Sequence, residues 1–326
     1  MKKLICILLS VLMILSVATL VACKKEEPTL KMGLGVYTQT KATSAGEKDG
    51  QGTATVTAAV ITVDADGKVV ACRIDTMDNK VAYTAEGKAV ANTSFKTKYE
   101  QGADYGMVAY GGATKEWYEQ VDAFEALTVG KTLDEIKALV VADTNKGNDT
   151  VIAAGCTVTV SEFVGAIEKA FANLADSAAT ASSVLKLGMN TEQKTTDATD
   201  EKDGTNQVET TVFAAAVDAD GKVQVAASDC VQVKFTFDKT GASTYDTTKA
   251  AASKRDQGAN YGMVAYGGAA KEWYEQADAF NALCVGKTAA EITALCATDN
   301  YGTDEVKTAG CTVLVNGFTK AAAKIG

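Results

Sequence analysis

The 326-residue sequence contains no histidine, and this absence excludes whole classes of active site. Ser-His-Asp and Cys-His catalytic arrangements are impossible without it, and the most common ligand of transition metals is missing. No CxxC motif occurs, which argues against thioredoxin-type chemistry and zinc binding. No stretch is strongly basic and the formal net charge is −9, so nucleic acid is not an expected partner. Carboxylates could still serve a hydrolase, but no motif supports one.

The N-terminus has the pattern of an export signal. Lys2 and Lys3 precede an uncharged apolar run, Leu4–Leu20, which predicts a secretory signal peptide over residues 1–22. A retained transmembrane helix is the alternative, because the run approaches the length that spans a bilayer. The segment Leu20-Val-Ala-Cys23 resembles a bacterial lipobox. That resemblance implies that Cys23 carries lipid, that residues 23–29 form a tether, and that the protein is extracytoplasmic and held to the cell membrane surface.

The rest of the chain contains an internal sequence repeat. Gln101–Phe124 (QGADYGMVAYGGATKEWYEQVDAF) and Gln257–Phe280 (QGANYGMVAYGGAAKEWYEQADAF) differ at three of 24 positions. Further matches lie on both sides of this segment, at offsets that stay between 154 and 156 residues. Solenoid repeats are far shorter than this, at about 20–50 residues, so the repeating unit is domain-sized. We therefore predict two homologous modules, at 30–174 and 185–326, joined by a linker at 175–184. An alanine-rich helical spacer is the alternative for this linker.

Each module is predicted to be α+β, with a small antiparallel sheet and about three helices. Alternating β-branched residues indicate a strand at Thr53–Val63, and Asp64-Ala-Asp-Gly67 predicts the hairpin turn that follows it. A calcium loop is a weaker interpretation of the turn, because a third oxygen ligand before the glycine is missing. The glycine-rich segment Gly102–Gly112 is predicted to be a loop. Helices are predicted at Lys115–Leu127, Thr132–Val141 and Ser161–Leu174.

Six cysteines remain once Cys6 and Cys23 are set aside, and they do not form a duplicated set. Only Cys156 and Cys311 are equivalent between the modules, whereas an inherited disulfide framework would repeat as pairs. Most of them are therefore expected to be small buried residues. A local bridge between Cys284 and Cys296 stays open.

The end of each module carries a motif that resembles a known family. Val151-Ile-Ala-Ala-Gly-Cys-Thr157 is followed by a helix with Phe163, and Val306-Lys-Thr-Ala-Gly-Cys-Thr312 is followed by one with Phe318. Together with the early V-x-x-D-G-K turn, this order is similar to the FMN-binding domain of membrane-linked electron-transfer subunits and flavin-bearing lipoproteins. The family motif reads D-x-x-S-G-A-T. Here Val stands for Asp, Ala for Ser, and Cys for the last Ala.

The resemblance implies a cofactor and a place for it. FMN would be attached as a phosphoester by a separate flavin transferase, or held non-covalently, and the protein would exchange electrons with redox partners outside the cytoplasm. The attachment role would fall on the threonine, beside a glycine that lets the backbone approach the ligand. Glycine-flanked tyrosines of the near-identical segment could stack on the flavin ring. The candidate residues are Thr157, Gly155, Cys156, Tyr105 and Gly106, with Thr312, Gly310, Cys311, Tyr261 and Gly262.

Two alternatives stay open. Gly111-Gly-Ala-Thr114 also matches the motif superficially, but the second module has Ala270 at the acceptor position. The chain could also be a non-catalytic surface lipoprotein that keeps the fold without flavin and binds a ligand or partner through its Gly/Tyr loop.

Overall fold

The computed structural model describes residues 27–92, 94–249 and 251–326. The predicted signal peptide and Cys23 lie outside these residues, and none of the described helices has the length and apolarity needed to cross a membrane. Both halves begin with three long antiparallel strands and continue into helices, which confirms the α+β class. The strands are β1 (Lys31–Thr43), β2 (Gly50–Val63), β3 (Val69–Tyr83), β4 (Ala89–Val90), β5 (Val140–Val141), β6 (Lys146–Gly147), β7 (Ala175–Asp176), β8 (Val184–Thr196), β9 (Gly204–Val217) and β10 (Val223–Phe237).

The described residues contain ten short α-helices in addition to the strands. The predicted helices are present, but the second is much shorter than expected, and a single turn before the Gly/Tyr segment and a helix before the Gly-Cys-Thr motif were not predicted. The first-half helices are α1 (Lys98–Gln101), α2 (Trp117–Thr128), α3 (Leu133–Lys137), α4 (Asp149–Ala154) and α5 (Ser161–Ala172). Those of the second half are α6 (Lys254–Gln257), α7 (Trp273–Cys284), α8 (Ala289–Thr293), α9 (Asp304–Ala309) and α10 (Asn316–Ala322).

The predicted hairpin forms as β2 and β3, with Asp64 closing its turn. The Asp64 carboxylate accepts hydrogen bonds from the backbone N–H groups of Asp66 and Lys68, at 3.0 and 2.9 Å. The sequence analysis missed β1, which pairs with β2 along its whole length. The five-stranded sheet of the first half has the order β4-β3-β2-β1-β7, and the second half has β10-β9-β8.

The two sheets pack face to face, and helices cover their outer faces. Alternate residues of β2 point to opposite sides: Val56, Ala58 and Val60 join the central apolar layer between the sheets, whereas Ala59 and Ile61 join the layer under the helices. Second-half strands contribute to the same central layer. The halves therefore share a core, and their independence as modules 30–174 and 185–326 stays a prediction.

Contacts between the halves occur in equivalent pairs. Lys169 forms an ion pair with Asp256, and their counterparts Lys324 and Glu100 form one at 2.7 Å. The backbone follows the same rule, since Ala45 N–H donates to the Gly241 carbonyl at 2.7 Å and Ala198 N–H donates to that of Gly87 at 2.8 Å. Such reciprocity is the property of an isologous interface. The halves are thus related by an approximate twofold axis.

The predicted linker at 175–184 is ordered and joins the first sheet. Ala175–Asp176 pairs with the start of β1, Ser177 donates its hydroxyl hydrogen to the Leu30 carbonyl at 2.6 Å, and Ala179 is fully buried. The alternative of an alanine-rich helical spacer is wrong, because the segment consists of a short strand and turns.

Glycine allows the helix of each half to lie directly on its first strand. A Cβ atom on Gly33 would lie 2.0 Å from the Ala170 carbonyl oxygen, and one on Gly188 would lie 2.1 Å from that of Ala321. No larger residue fits at either position without a shift of the backbone. This contact holds the C-terminal helix beside the motif that precedes it.

Candidate functional site

The Gly-Cys-Thr motif follows the C-terminus of a short helix in each half. Gly155 ends α4 with a left-handed backbone (φ 97°), and Gly310 ends α9 in the same way (φ 99°). The motif joins two helices, because the residues before it form α4 and those after it lead into α5. Val151, at the position of the family's aspartate, is fully buried in that helix. The turn brings Thr157 to the surface, four residues before α5.

Burial makes the motif cysteines poor candidates for chemistry. Cys156 and Cys311 are fully buried, and this burial raises the pKa of each thiol to about 11. All six described cysteines are free, so the bridge considered between Cys284 and Cys296 is not formed. A neutral buried thiol is inert, so the two motif cysteines act as small core residues.

A glutamine that the sequence analysis did not single out orients each motif threonine. The Gln120 carboxamide oxygen accepts hydrogen bonds from the Thr157 N–H at 2.8 Å and from the Thr157 hydroxyl at 3.0 Å. Gln276 holds Thr312 with the same two distances. Both threonine side chains remain exposed. Each hydroxyl therefore has a fixed direction and oxygen lone pairs that face solvent.

Residues of the near-identical segment also hold the Gly/Tyr loop and the Gly-Cys-Thr bend in place. These contacts explain part of the sequence identity between the two halves. The Glu116 carboxylate accepts from the backbone N–H groups of Met107 and Val108, at 2.9 and 3.2 Å. The Lys115 side chain lies over Gly155, with its Nζ atom 2.3 Å from the place a Cβ would occupy. Equivalent contacts recur in the second half. Repetition of KEWYEQ in both halves marks these residues in the sequence, but the sequence alone does not show what they touch.

A cleft of about 430 Å³ lies next to Thr157. This is within the usual range for small-molecule sites, about 300–1,000 Å³. The cleft is lined by aromatic and apolar side chains, two lysines, a glutamate and several threonines: Thr76, Lys98, Tyr105, Met107, Trp117, Lys146, Thr157, Val158, Thr159, Glu162 and Phe163. The structure thus brings the predicted Tyr105 and Thr157 to one cleft. Gly106 instead ends the short 3-10 turn and is covered by the ring of Tyr110.

A mostly buried lysine lies at the base of the cleft. The Lys98 side chain is 13% exposed, its Nζ is 3.4 Å from the Asp78 carboxylate, and it lies 5.2 Å from the centre of the Tyr105 ring. Burial lowers its pKa, but the attraction of Asp78 and Tyr105 outweighs this, so the net shift is upward. The amine is therefore charged at neutral pH. Sequence analysis missed it because an isolated lysine carries no motif.

At the equivalent place in the second half, the described pocket is much smaller. The nearest equivalent is about 50 Å³, and neither Thr312 nor Lys254 is among its lining residues. Lys146 and Thr159, which both line the first cleft, form an isolated β-bridge. The corresponding bridge of the second half joins Tyr301 to Leu314, and Leu314 lines the small pocket. Tyr261 still lies beside its lysine, with the Lys254 Nζ 5.0 Å from the ring centre. The two halves share the bend and differ in the cavity.

The tip of the Gly/Tyr loop points away from the protein. Tyr110 and Tyr266 are each 92% exposed, and Val108 and Val264 are each 46% exposed. Thr114, the alternative acceptor, is exposed in the segment before α2 and is not among the residues that line the Thr157 cleft. The loop therefore supplies Tyr105 and Met107 to the cleft and presents its tip to solvent.

Comparison of the chain with protein-family models, with curated proteins and with solved structures found no match. Within residues 27–326 as described, no group of three or more Cys, Asp or Glu side chains is placed to hold a metal ion. The functional interpretation therefore rests on the geometry of the Thr157 cleft.

Proposed function

We propose that the protein is a lipid-anchored, extracytoplasmic flavin carrier that holds one FMN, at the Thr157 cleft of its first half. The observation that carries this proposal is an exposed, oriented threonine hydroxyl at the mouth of a cleft lined by Tyr105, Met107 and Trp117. When bound, FMN would supply one- and two-electron transfer, and the protein would position it and tune its potential. No acid–base residue is needed, which agrees with the absence of histidine.

The charges around Thr157 suit a phosphate group. Lys146 lines the cleft and Lys115 lies over Gly155, and neither forms an ion pair with another described residue. Helix α5 begins at Ser161, and no side chain caps its N-terminus, where the helix dipole favours an anion. The cysteine in place of alanine does not disturb this geometry, since its thiol is buried away from the cleft.

Covalent attachment requires an activated donor. A flavin dinucleotide meets this need: the bond from Thr157 Oγ to the flavin phosphate forms as the pyrophosphate bond breaks. The nucleoside monophosphate leaves, and the hydroxyl proton passes to a base of the flavin transferase. Non-covalent binding of FMN in the same cleft needs no such step, and intact mass separates the two modes.

The test is to produce the mature protein in a host that has a flavin transferase and to measure its visible absorption and intact mass. We expect yellow protein with one flavin per chain. Thr157→Ala should abolish covalent flavin, whereas the matched variant Thr312→Ala should retain it, because the equivalent pocket of the second half is only about 50 Å³ and is not lined by Thr312. Colourless wild-type protein would contradict the proposal. Full loading of Thr157→Ala would contradict the assignment of the threonine.

A second function is favoured by one observation. The exposed tyrosines Tyr110 and Tyr266 stand on the same loop in both halves and are not needed to line the cleft. A surface lipoprotein that binds a partner through these tips would carry them in this way. The test places a photo-crosslinking residue at position 110 or at position 266 and irradiates whole cells. If the protein carries no flavin and both positions capture the same partner, this second function is favoured.

A further inference from the structure

The buried lysine of each half is constant, while its acidic partner has changed strands. Lys98 pairs with Asp78 on β3, whereas its counterpart Lys254 pairs with Glu209 on β9 at 2.7 Å. The residue equivalent to Glu209 in the first half is Thr55, which lies directly across from Asp78 in the sheet. One carboxylate has thus been lost and another gained on the neighbouring strand.

This exchange shows that the charge pair matters more than the position of the acid. A lysine left without its partner in such a place costs about 3–5 kcal/mol, so each half must supply a carboxylate. The lysine itself could have been replaced by an apolar residue together with its acid, often without loss of stability. Both halves nevertheless keep the lysine, so any use of the ammonium group depends on the cleft beside it.

Only in the first half does the lysine reach the open cleft. Lys98 lines the cleft with Tyr105 and Trp117, and Glu162 adds a second carboxylate nearby. In the second half, Glu209 and Cys230 line the small pocket and Lys254 does not. Lys254 is therefore an internal control for any role of Lys98 in the cleft.

We propose that Lys98 is the specificity-determining residue of the Thr157 cleft, whose ammonium group binds the hydrogen-bond-accepting, electron-rich edge of a planar ring. The inference rests on the proposed function, and it adds that Lys98 sets the potential of the bound flavin. A cation next to this edge stabilises the reduced, more electron-rich ring relative to the oxidised one. The nearby carboxylate of Asp78 offsets part of that effect.

The test compares the reduction potential of the flavin in four variants, equilibrated against a reference dye. Asp78→Asn leaves the Lys98 charge unbalanced, so we expect the potential to rise. The double variant Lys98→Met/Asp78→Asn should lower it below that of the wild type. A tenfold change in the reduction equilibrium is expected for each, which is about 30 mV for a two-electron couple. The second-half pair, Glu209→Gln and Lys254→Met/Glu209→Gln, should leave the potential unchanged.

A relocation variant guards against misfolding of these proteins. Thr55→Glu/Asp78→Gln moves the acid to its second-half position while keeping Lys98, so its potential should stay close to that of the wild type. Flavin-loaded protein with the same potential in all first-half variants would overturn the inference alone. Equal shifts in the second-half variants would overturn it as well, since the effect would not be local. Wild-type protein without flavin would overturn the proposed function, and the inference with it.

Discussion

The two halves of the molecule fold alike but distribute their charges differently. Lys98 and Lys254 occupy the same place, and their acids come from different strands, as Asp78 on β3 and Glu209 on β9. Because the two acid positions face each other across the sheet, either can reach the lysine. The comparison shows that both halves keep the lysine on the short helix, whereas the position of its carboxylate partner in the sheet differs.

An arginine has moved in the same way. Arg73 on β3 pairs with Asp122 at 3.1 Å and Glu125 at 3.2 Å, whereas Arg255 on α6 pairs with Asp278, the counterpart of Asp122, at 2.7 Å. The counterpart of the buried Glu125 is the neutral Asn281, which accepts from the Ser228 hydroxyl at 2.9 Å. At this position a carboxylate is therefore present only in the half where an arginine reaches it, as expected from the cost of an unpaired buried charge.

The largest expected effect comes from removing and then relocating the acid of the first half. Asp78→Gln leaves Lys98 without its nearest counter-ion, so we expect a loss of about 3 kcal/mol in the free energy of unfolding, measured with urea. Adding Thr55→Glu recreates the second-half arrangement and should recover most of the loss. Failure of Thr55→Glu to restore any stability would show that the strands are not interchangeable.

The sequence predicts the fold of each half well where local patterns decide it. The alternating strand Thr53–Val63 and the Asp64 turn appear as predicted, and the capping box at Thr132 starts a helix. That helix ends at Lys137 rather than near Val141, and β1 was missed, because Gly33 and Gly35 interrupt its pattern. Those glycines are required because helix α5 lies directly on the strand. This is a tertiary contact, which no local sequence pattern reveals.

The site is only partly visible in the sequence for a similar reason. Thr157 and Tyr105 were predicted from motif and repetition, and they do meet at one cleft. Gln120 and Lys98 were not, because their roles arise from contacts across 37 residues and between strand and helix. The sharing of a central core by both halves was also hidden, since a buried strand shows the same apolar run whichever layer covers it.

The next effect concerns pH and separates Glu125 from Asn281. Burial outweighs the attraction of Arg73 and raises the pKa of Glu125 to about 7 from 4.5. The folded state therefore holds this proton more tightly than the unfolded state, and the associated stability, complete below about pH 4.5, is lost as pH rises to 7. A shift of this size corresponds to at most about 3 kcal/mol. Urea unfolding between pH 4 and 8 measures it.

The variant Glu125→Gln supplies the control for that titration. Burial also raises the pKa of Asp75 and of its counterpart Asp229 to about 6, so both halves lose stability up to that pH. Glu125→Gln should remove the Glu125 contribution across about pH 4.5 to 7. The remaining loss from Asp75 and Asp229 should then end near pH 6, so that stability no longer falls between about pH 6 and 7. An unchanged profile in this variant would show that Glu125 is ionised throughout.

A smaller loss, about equal in the two halves, is expected where helix meets strand. Gly35→Ala places a methyl group against the Ala166 carbonyl, and its counterpart Gly188→Ala does the same against the Ala321 carbonyl. Each should lower the free energy of unfolding by about 1–3 kcal/mol, as overpacking usually does. Gly46→Ala is the control, since nothing lies within 4 Å of its added methyl group. A loss in one half only would show that the close approach is not common to both.

The smallest expected effect bears on why the two loops are nearly identical. Glu116 and Gln120 are needed to hold the loop and the Gly-Cys-Thr bend, so their repetition follows from the fold. Tyr110 only covers Gly106 and is otherwise exposed, so Tyr110→Ser should change the free energy of unfolding by less than about 0.5 kcal/mol. Tyr105→Ser, which removes the ring beside Lys98, should cost more. Equal losses of unfolding free energy in the two variants would mean that the loop tip supports the fold. If Tyr110→Ser leaves the stability unchanged, the occurrence of this tyrosine in both halves has a cause other than stability.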